Sequence, residues 1–163
     1  EALGFSARLV YLSDTSSRLA DSNYAPFDAN VSFADGFPFL VIGQSSLDDL
    51  NTRLPEPVSM IRFRPNLVFE GGIPYDEDQW YEFTIGKLTF YGVKPCARCI
   101  LTTVDPEKGE IVGKEPLKTL STYRKRNNKI FFGQNVMSNQ SGVLKIGDEI
   151  QIVSRKSRQT MSE

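Results

Sequence analysis

Val93-Lys94-Pro95-Cys96-Ala97-Arg98-Cys99-Ile100-Leu101-Thr102-Thr103-Val104-Asp105-Pro106 holds both cysteines of a 163-residue chain, spaced C-x-x-C with cations at Lys94 and Arg98. A thiolate serves as nucleophile, redox partner or soft metal ligand, and neighbouring cations lower the thiol pKa and raise the thiolate fraction. Several readings fit the spacing. A zinc site needs about four ligands, and the chain has 2 Cys and no His. A thioredoxin-like dithiol wants its C-x-x-C at a helix N-terminus within a βαβ unit. Ile100-Leu101-Thr102-Thr103-Val104 is instead strand-forming, and Pro106 stops it. One thiolate holding a soft metal carried on a cofactor is a third reading. The fourth is a pair of small buried hydrophobes, since free Cys is among the most buried residue types.

Working outward, residues 80–86 (Trp-Tyr-Glu-Phe-Thr-Ile-Gly) and 88–93 (Leu-Thr-Phe-Tyr-Gly-Val) alternate as a hairpin turning at Gly86-Lys87 and delivering the chain into the cysteine stretch. Residues 71–79 form an acidic, turn-rich loop before it. Residues 58–69 read as a strand interrupted at Pro65, with Arg62 and Arg64 on one face. Asn66 joins that face unless Pro65 introduces a bulge. A guanidinium beside a carboxamide suits an anionic, hydrogen-bond-rich ligand, or a solvated strand face.

Phe39-Leu40-Val41-Ile42-Gly43 is an apolar run expected as a buried strand. A helix follows, capped by Ser45 or Ser46, with Asp48 and Asp49 in its first turn and Leu47, Leu50 and Leu54 on one face before Pro55. Gln44-Ser45-Ser46 is thus a junction whose N–H groups either receive an anion or are capped by the serines. Residues 7–12 alternate as a strand, and residues 13–30 are a polar loop. After the cysteines come a turn at 105–109, a helix over 115–124 with Pro116 in its first turn, and a polar connector at 125–129. Residues 130–136 read as a strand in which Gly133 permits close backbone approach, and 144–153 as the last strands, turning at Gly147-Asp148. The pattern predicts a mainly β chain with a few helices (α+β), a β-barrel with helices packed outside.

Hydrophobic residues make up 40% and charged residues 24%, ordinary for a globular protein. A net charge of −1 gives no electrostatic footprint for nucleic acid or an anionic membrane, so neither is an expected partner. No apolar run reaches the roughly 20 residues that span a bilayer, and two cysteines this close favour a reducing, cytoplasmic compartment. Without His, proton chemistry must come from carboxylates, a thiol, a cofactor or water.

The chain resembles the MOSC domain of molybdenum-cofactor proteins, in the amidoxime-reducing-component branch and its bacterial relatives. The blocks that carry the resemblance are Phe33-Ala34-Asp35-Gly36-Phe37-Pro38, Ser46-Leu47-Asp48-Asp49-Leu50-Asn51, Arg62-Phe63-Arg64-Pro65-Asn66, the cysteine stretch from Pro95 to Pro106, Glu115-Pro116-Leu117-Lys118-Thr119-Leu120 and Phe132-Gly133-Gln134-Asn135. The resemblance implies a MOSC domain over residues 1–153, with residues 154–163 a polar tail or linker. It also implies a pterin-bound molybdenum centre (molybdopterin) with a protein cysteine on the metal. Cys99 is the expected ligand and Cys96 the fallback. Arg64 and Asn66 match family positions that contact the cofactor. The backbone around Asp35, Gly36 and Phe37 and the turn of Gly133, Gln134 and Asn135 would line its cleft.

What the resemblance implies for activity is an oxidoreductase reducing small N-hydroxylated substrates, fed by a separate electron-donor protein. A module that carries molybdenum cofactor or sulfur without its own reductase activity is the alternative, and a cofactor-free domain with buried cysteines is a third. The family's usual N-terminal β-rich portion is expected to be missing, the chain starting partway into the pattern at Glu1. The cysteines of a C-terminal iron–sulfur domain, found in some bacterial relatives, are missing too.

Overall fold

The computed structural model describes residues 4–13, 15–34 and 36–156. Its strands are β1 (Phe39–Gly43), β2 (Leu67–Phe69), β3 (Trp80–Ile85), β4 (Leu88–Arg98), β5 (Lys125–Arg126), β6 (Lys129–Met137) and β7 (Ile150–Arg155). Its helices are α1 (Gln44–Arg53) and α2 (Leu117–Tyr123). One sheet runs β2-β1-β6-β4-β3-β7, with β5 paired to β6. It curls into a half-barrel, mainly β with its helices packed against the outside, as the alternation predicts.

Apolar side chains from the strands divide among separate clusters. Ile42, Leu47, Leu50, Phe63, Leu120 and Phe132 pack where α1 and α2 cover the sheet. Val41, Phe69, Trp80, Phe83, Phe90 and Val136 fill the other face. Phe37, Val31, Ala20 and Met137 form a smaller group under the polar loop. β1 supplies both large clusters because alternate residues of a strand point to opposite faces, and its last four positions are buried.

The longest strand, β4, is the spine. It pairs with β3 through Leu88–Tyr91 and with β6 through Tyr91–Arg98. Its register with β6 slips twice, between Gly92 and Lys94 and between Pro95 and Ala97. At the first slip Val93 is the extra residue. The carboxamide of the fully buried Gln134 fills the gap, its oxygen accepting from the N–H groups of Val93 and Lys94 and from Lys156 Nζ. At the second slip Phe132 and Gly133 together oppose Cys96. Gly133 has φ +80°, and a Cβ there would lie 2.7 Å from Ile42 Cγ1. Only glycine meets both demands without strain.

Several expectations from local pattern are corrected by longer-range contacts. Residues 7–12 form no strand, and Leu9, Val10 and Tyr11 are exposed; alternation makes a strand only where an edge pairs with it. Helix α1 starts at Gln44 with Gly43 as its cap residue, no serine caps it, and no acid lies in its first turn. Residues 60–64 are not extended: Met60–Phe63 is a 3₁₀ turn closed by Arg64 in the left-handed region, so Arg62 and Arg64 do not face one way. Ile100–Thr103 is also a 3₁₀ turn. Thr102 Oγ1 donates to Cys99 O at 3.1 Å and Thr103 Oγ1 to Ile100 O at 2.7 Å, local bonds that compete with a sheet ladder. The connector at 125–129 is a hairpin, with Asn127 and Asn128 at positive φ between β5 and β6. Only Ile150–Arg155 of the closing segment is a strand, and it runs past residue 153, with Arg155 gripping Asp76 at 2.7 and 2.9 Å. Residues 157–163 of the expected tail lie outside the described residues.

Burial pushes Lys156 down to about 8, Arg126 adding to the shift and Asp78 opposing it. An unfolded lysine titrates near 10.4, so between about pH 8 and 10 the unfolded chain binds the proton that the fold has lost. Stability therefore rises with pH across that window, by at most about 1.4 kcal/mol per pH unit from this group. Urea denaturation at both ends of the window should show that rise, and Lys156→Met should abolish it.

Candidate functional site

Cys96 and Cys99 are not equivalent. Cys96 lies within β4 and packs against the cluster of Phe63, Leu120 and Phe132, whereas Cys99 follows the last residue of the strand and is exposed. Strand alternation sends Cys96 and Arg98 to the core face and Ala97 and Cys99 to the other, and Ala97 is exposed as that requires. Residues 96–98 are extended, as is Cys99 with φ −122° and ψ −175°. Three extended steps separate the cysteine Cα atoms by roughly 10 Å. A disulfide tolerates about 7 Å at most, so the redox-dithiol reading is closed by geometry. Among the described residues no three His, Cys, Asp or Glu side chains gather as a metal site.

Arg98 ties the candidate site together. Its Nε donates to Phe132 O at 2.9 Å and its Nη1 to Phe63 O at 3.1 Å. The guanidinium also lies 5.4 Å from the centre of the Phe63 ring, which packs on Phe132 with centroids 4.3 Å apart. One fork therefore joins the cysteine strand to the residue before Arg64 and the residue before Gly133. Nη2 is buried without a hydrogen-bond partner. Burial pushes Arg98 down from the usual arginine range, and electrostatic interaction with Cys96 and Cys99 opposes that shift. Both sulfurs are within electrostatic reach of the guanidinium.

The 3₁₀ turn before Arg64 packs against the 3₁₀ turn after Cys99, and Arg62 Nη2 reaches Asp105 at 4.0 Å between them. Arg64 is exposed, with φ 53° and ψ 49°. A left-handed arginine held just before a proline is strained backbone, and such strain gathers at ligand clamps. Asn66 is bound to β1, its Oδ1 accepting from Leu40 N at 2.9 Å and its N–H donating to Leu40 O at 3.0 Å.

The other expected residues lie in different settings. Gln134 is buried and bonded into the first bulge, and Asn135 is half-buried, paired in register with Leu40 and Lys94. Gly36 is exposed, Phe37 packs with Ala20, Val31 and Met137, and Asp35 lies outside the described residues. At the junction expected to hold either an anion or a serine cap, a carboxyl group from within the chain takes that place. Glu77 Oε1 accepts from Gly43 N at 3.2 Å and from Ser46 Oγ at 2.8 Å, so no exogenous anion is needed there. Burial raises the Glu77 pKa, while Ser46 and the Gly43 amide oppose the shift.

Neither the Arg98 fork nor the Glu77 junction is singled out by the sequence. The signal for the first was a cation beside two thiols, which pattern alone reads as a pKa effect. The second had no local signal.

The sequence model of the MOSC domain matches residues 28–151. The chain belongs to the MOSC domain family. It is 40% identical over 133 residues to mitochondrial amidoxime-reducing component 1 of Homo sapiens, covering 77% of this chain and 40% of that protein. To mitochondrial amidoxime reducing component 2 of Rattus norvegicus it is 41% identical over 128 residues, 74% of this chain and 38% of that protein. To component 2 of Bos taurus the figures are 38% over 138 residues, 80% and 40%. The chain spans about two fifths of the length of the curated relatives it matches.

Replacing Arg98 with Met should strand the Phe63 and Phe132 carbonyls and cost about 2–4 kcal/mol of stability in urea unfolding. Arg98→Lys should recover less than half of that, because an ammonium cannot reproduce the planar fork.

Proposed function

We propose that this chain is the cofactor-holding part of a molybdenum-dependent oxidoreductase that reduces N-hydroxylated small molecules. The observation that carries the proposal is the split between the cysteines. Cys99 follows the last residue of β4 and is exposed, while Cys96 is half-buried and packs against the cluster of Phe63 and Phe132. The relatives named as amidoxime-reducing components support the substrate class.

The residues fit a pterin-bound molybdenum in kind. Thiolate sulfur is a soft ligand suited to the metal. The unpartnered Nη2 of Arg98 leaves a buried hydrogen-bond donor suited to an anionic acceptor. When bound, the group supplies two-electron chemistry and removes the need for a histidine base. Cys99 would hold the metal. Arg64 would take an anionic oxygen of the cofactor in its guanidinium fork, and Asn66 would offer its carboxamide NH₂, since its oxygen already serves β1. Arg98 keeps these groups in register, and Thr102 fixes the Cys99 carbonyl through both its N–H and its hydroxyl. Electrons would come from a separate donor protein. A chain with only two cysteines, too far apart to bridge each other, suits a reducing compartment, the cytoplasm among them.

Elemental analysis of the full-length protein and its cysteine variants tests the assignment. Cys99→Ala should lose at least about 90% of the bound molybdenum and of amidoxime reduction, whereas Cys96→Ala should keep most of both. The reverse pattern would move the ligand to Cys96. Full molybdenum occupancy with no reductase activity toward any amidoxime would favour the carrier reading.

A further inference from the structure

A cavity of about 640 Å³ opens beside the middle of β4, lined by Tyr24, Lys94, Arg126, Lys129 and Lys156. Its lining includes none of Cys99, Arg64, Asn66 or Gly133. Lys94 and Cys99 are separated by roughly 16 Å of extended chain. The cavity and the cysteine site are therefore distinct places on the fold.

Its electrostatics are one-sided. The whole chain carries a net charge of only −1, yet cations converge here from β4, β5, β6 and the end of β7. Asp78 is the one carboxylate among the described lining residues, and its Oδ2 is held by Arg124, which lies outside the lining. Lys94 and Lys156 are half-buried in the wall, and Arg126 and Lys129 are exposed at the rim. Lys94 Nζ sits 3.9 Å over the Tyr24 ring, Arg126 stacks 5.1 Å over Phe131, and Lys156 Nζ donates to the buried Gln134 oxygen. Holding several like charges around one hollow opposes folding unless an anion enters.

We propose that this cavity binds a phosphate monoester of a small ring-bearing molecule. A phosphate carries a charge of about −1.5 to −2 near neutral pH and several strong acceptor oxygens. That matches ammonium and guanidinium donors arriving from different strands. The volume falls in the range of small-molecule sites and far exceeds what a phosphate alone would fill. The rest of the ligand lies against Phe131, Tyr81 and the edge of Tyr24, which also line the hollow. The proposal stands whether or not molybdenum is bound at Cys99.

Calorimetric titration of the full-length protein with phenyl phosphate, inorganic phosphate and phenol tests it. Phenyl phosphate should bind, inorganic phosphate should compete more weakly for the same site, and phenol should give no heat. Lys94→Gln and Lys156→Gln should each weaken phenyl phosphate about tenfold or more, while Arg64→Ala should leave it unchanged. Lys129 is exposed on the rim, so Lys129→Gln, with a loss of about threefold, keeps the test decisive should Lys156→Gln fail to fold. Absence of heat with phenyl phosphate up to about 10 mM in folded protein overturns the proposal. So does binding that survives the lysine substitutions, or binding that Arg64→Ala abolishes, which would place the phosphate at the cysteine site.

Discussion

The guanidinium of Arg98 sits where three chain segments meet. The end of β4, the 3₁₀ turn leading to Arg64 and the bulge at Gly133 are far apart in sequence, and each is irregular backbone that a sheet ladder cannot fully satisfy. By donating to Phe132 O and Phe63 O, one side chain closes both gaps. The cost is a buried cation, and the Phe63 ring offsets part of it. A lysine in that place would deliver charge without the fork, and an apolar residue would leave the carbonyls dry.

A second polar assembly does the same work on the helical side. Glu77 binds the start of α1 through Gly43 N and Ser46 Oγ, and Ser46 Oγ in turn accepts from Tyr75 N at 2.7 Å. The Tyr75 hydroxyl donates to Asp49 Oδ2 at 2.6 Å and lies 2.8 Å from the Tyr123 hydroxyl, linking α1 to α2. Burial first, and the bond to Asp49 second, raise the Tyr75 pKa, so the phenol stays a donor throughout the physiological range. The helices are thereby fixed against the sheet, and Leu120 of α2 reaches the cluster that holds Phe63 and Phe132. Both assemblies converge on the same pair of rings.

What local pattern could reveal followed period and punctuation. The β3–β4 hairpin was legible because apolar residues alternate across Gly86-Lys87, and β1 because an unbroken apolar run has to be buried. The face of Leu47, Leu50 and Leu54 was legible for the same reason. Reading failed where a polar side chain answered to a distant partner. Ser46 looks like a cap and instead serves Glu77, so the helix begins earlier. Thr102 and Thr103 look like strand residues and instead bond back to Cys99 and Ile100. Arg62 and Arg64 were placed by counting along an extended chain that turns at Met60–Phe63. Cys99 at an accessible strand end is compatible with its expected role, but nothing in its spacing separates it from Cys96; only the direction of the strand does.

That direction depends on register. A shift of one residue in the β4–β6 pairing would turn Cys96 outward and bury Cys99, because side chains alternate with a period of two. The bulge at Phe132-Gly133 is what prevents the slip. It places Gly133 against Ile42 in a backbone conformation that neighbouring residues cannot adopt without strain, so the two-against-one pairing has a single position along β6. Gln134, filling the other slip from the opposite strand, pins the ladder a second time. Two irregularities on facing strands thus decide which sulfur meets the outside. The glycine and glutamine expected to line a cleft act on the cysteine through the sheet itself.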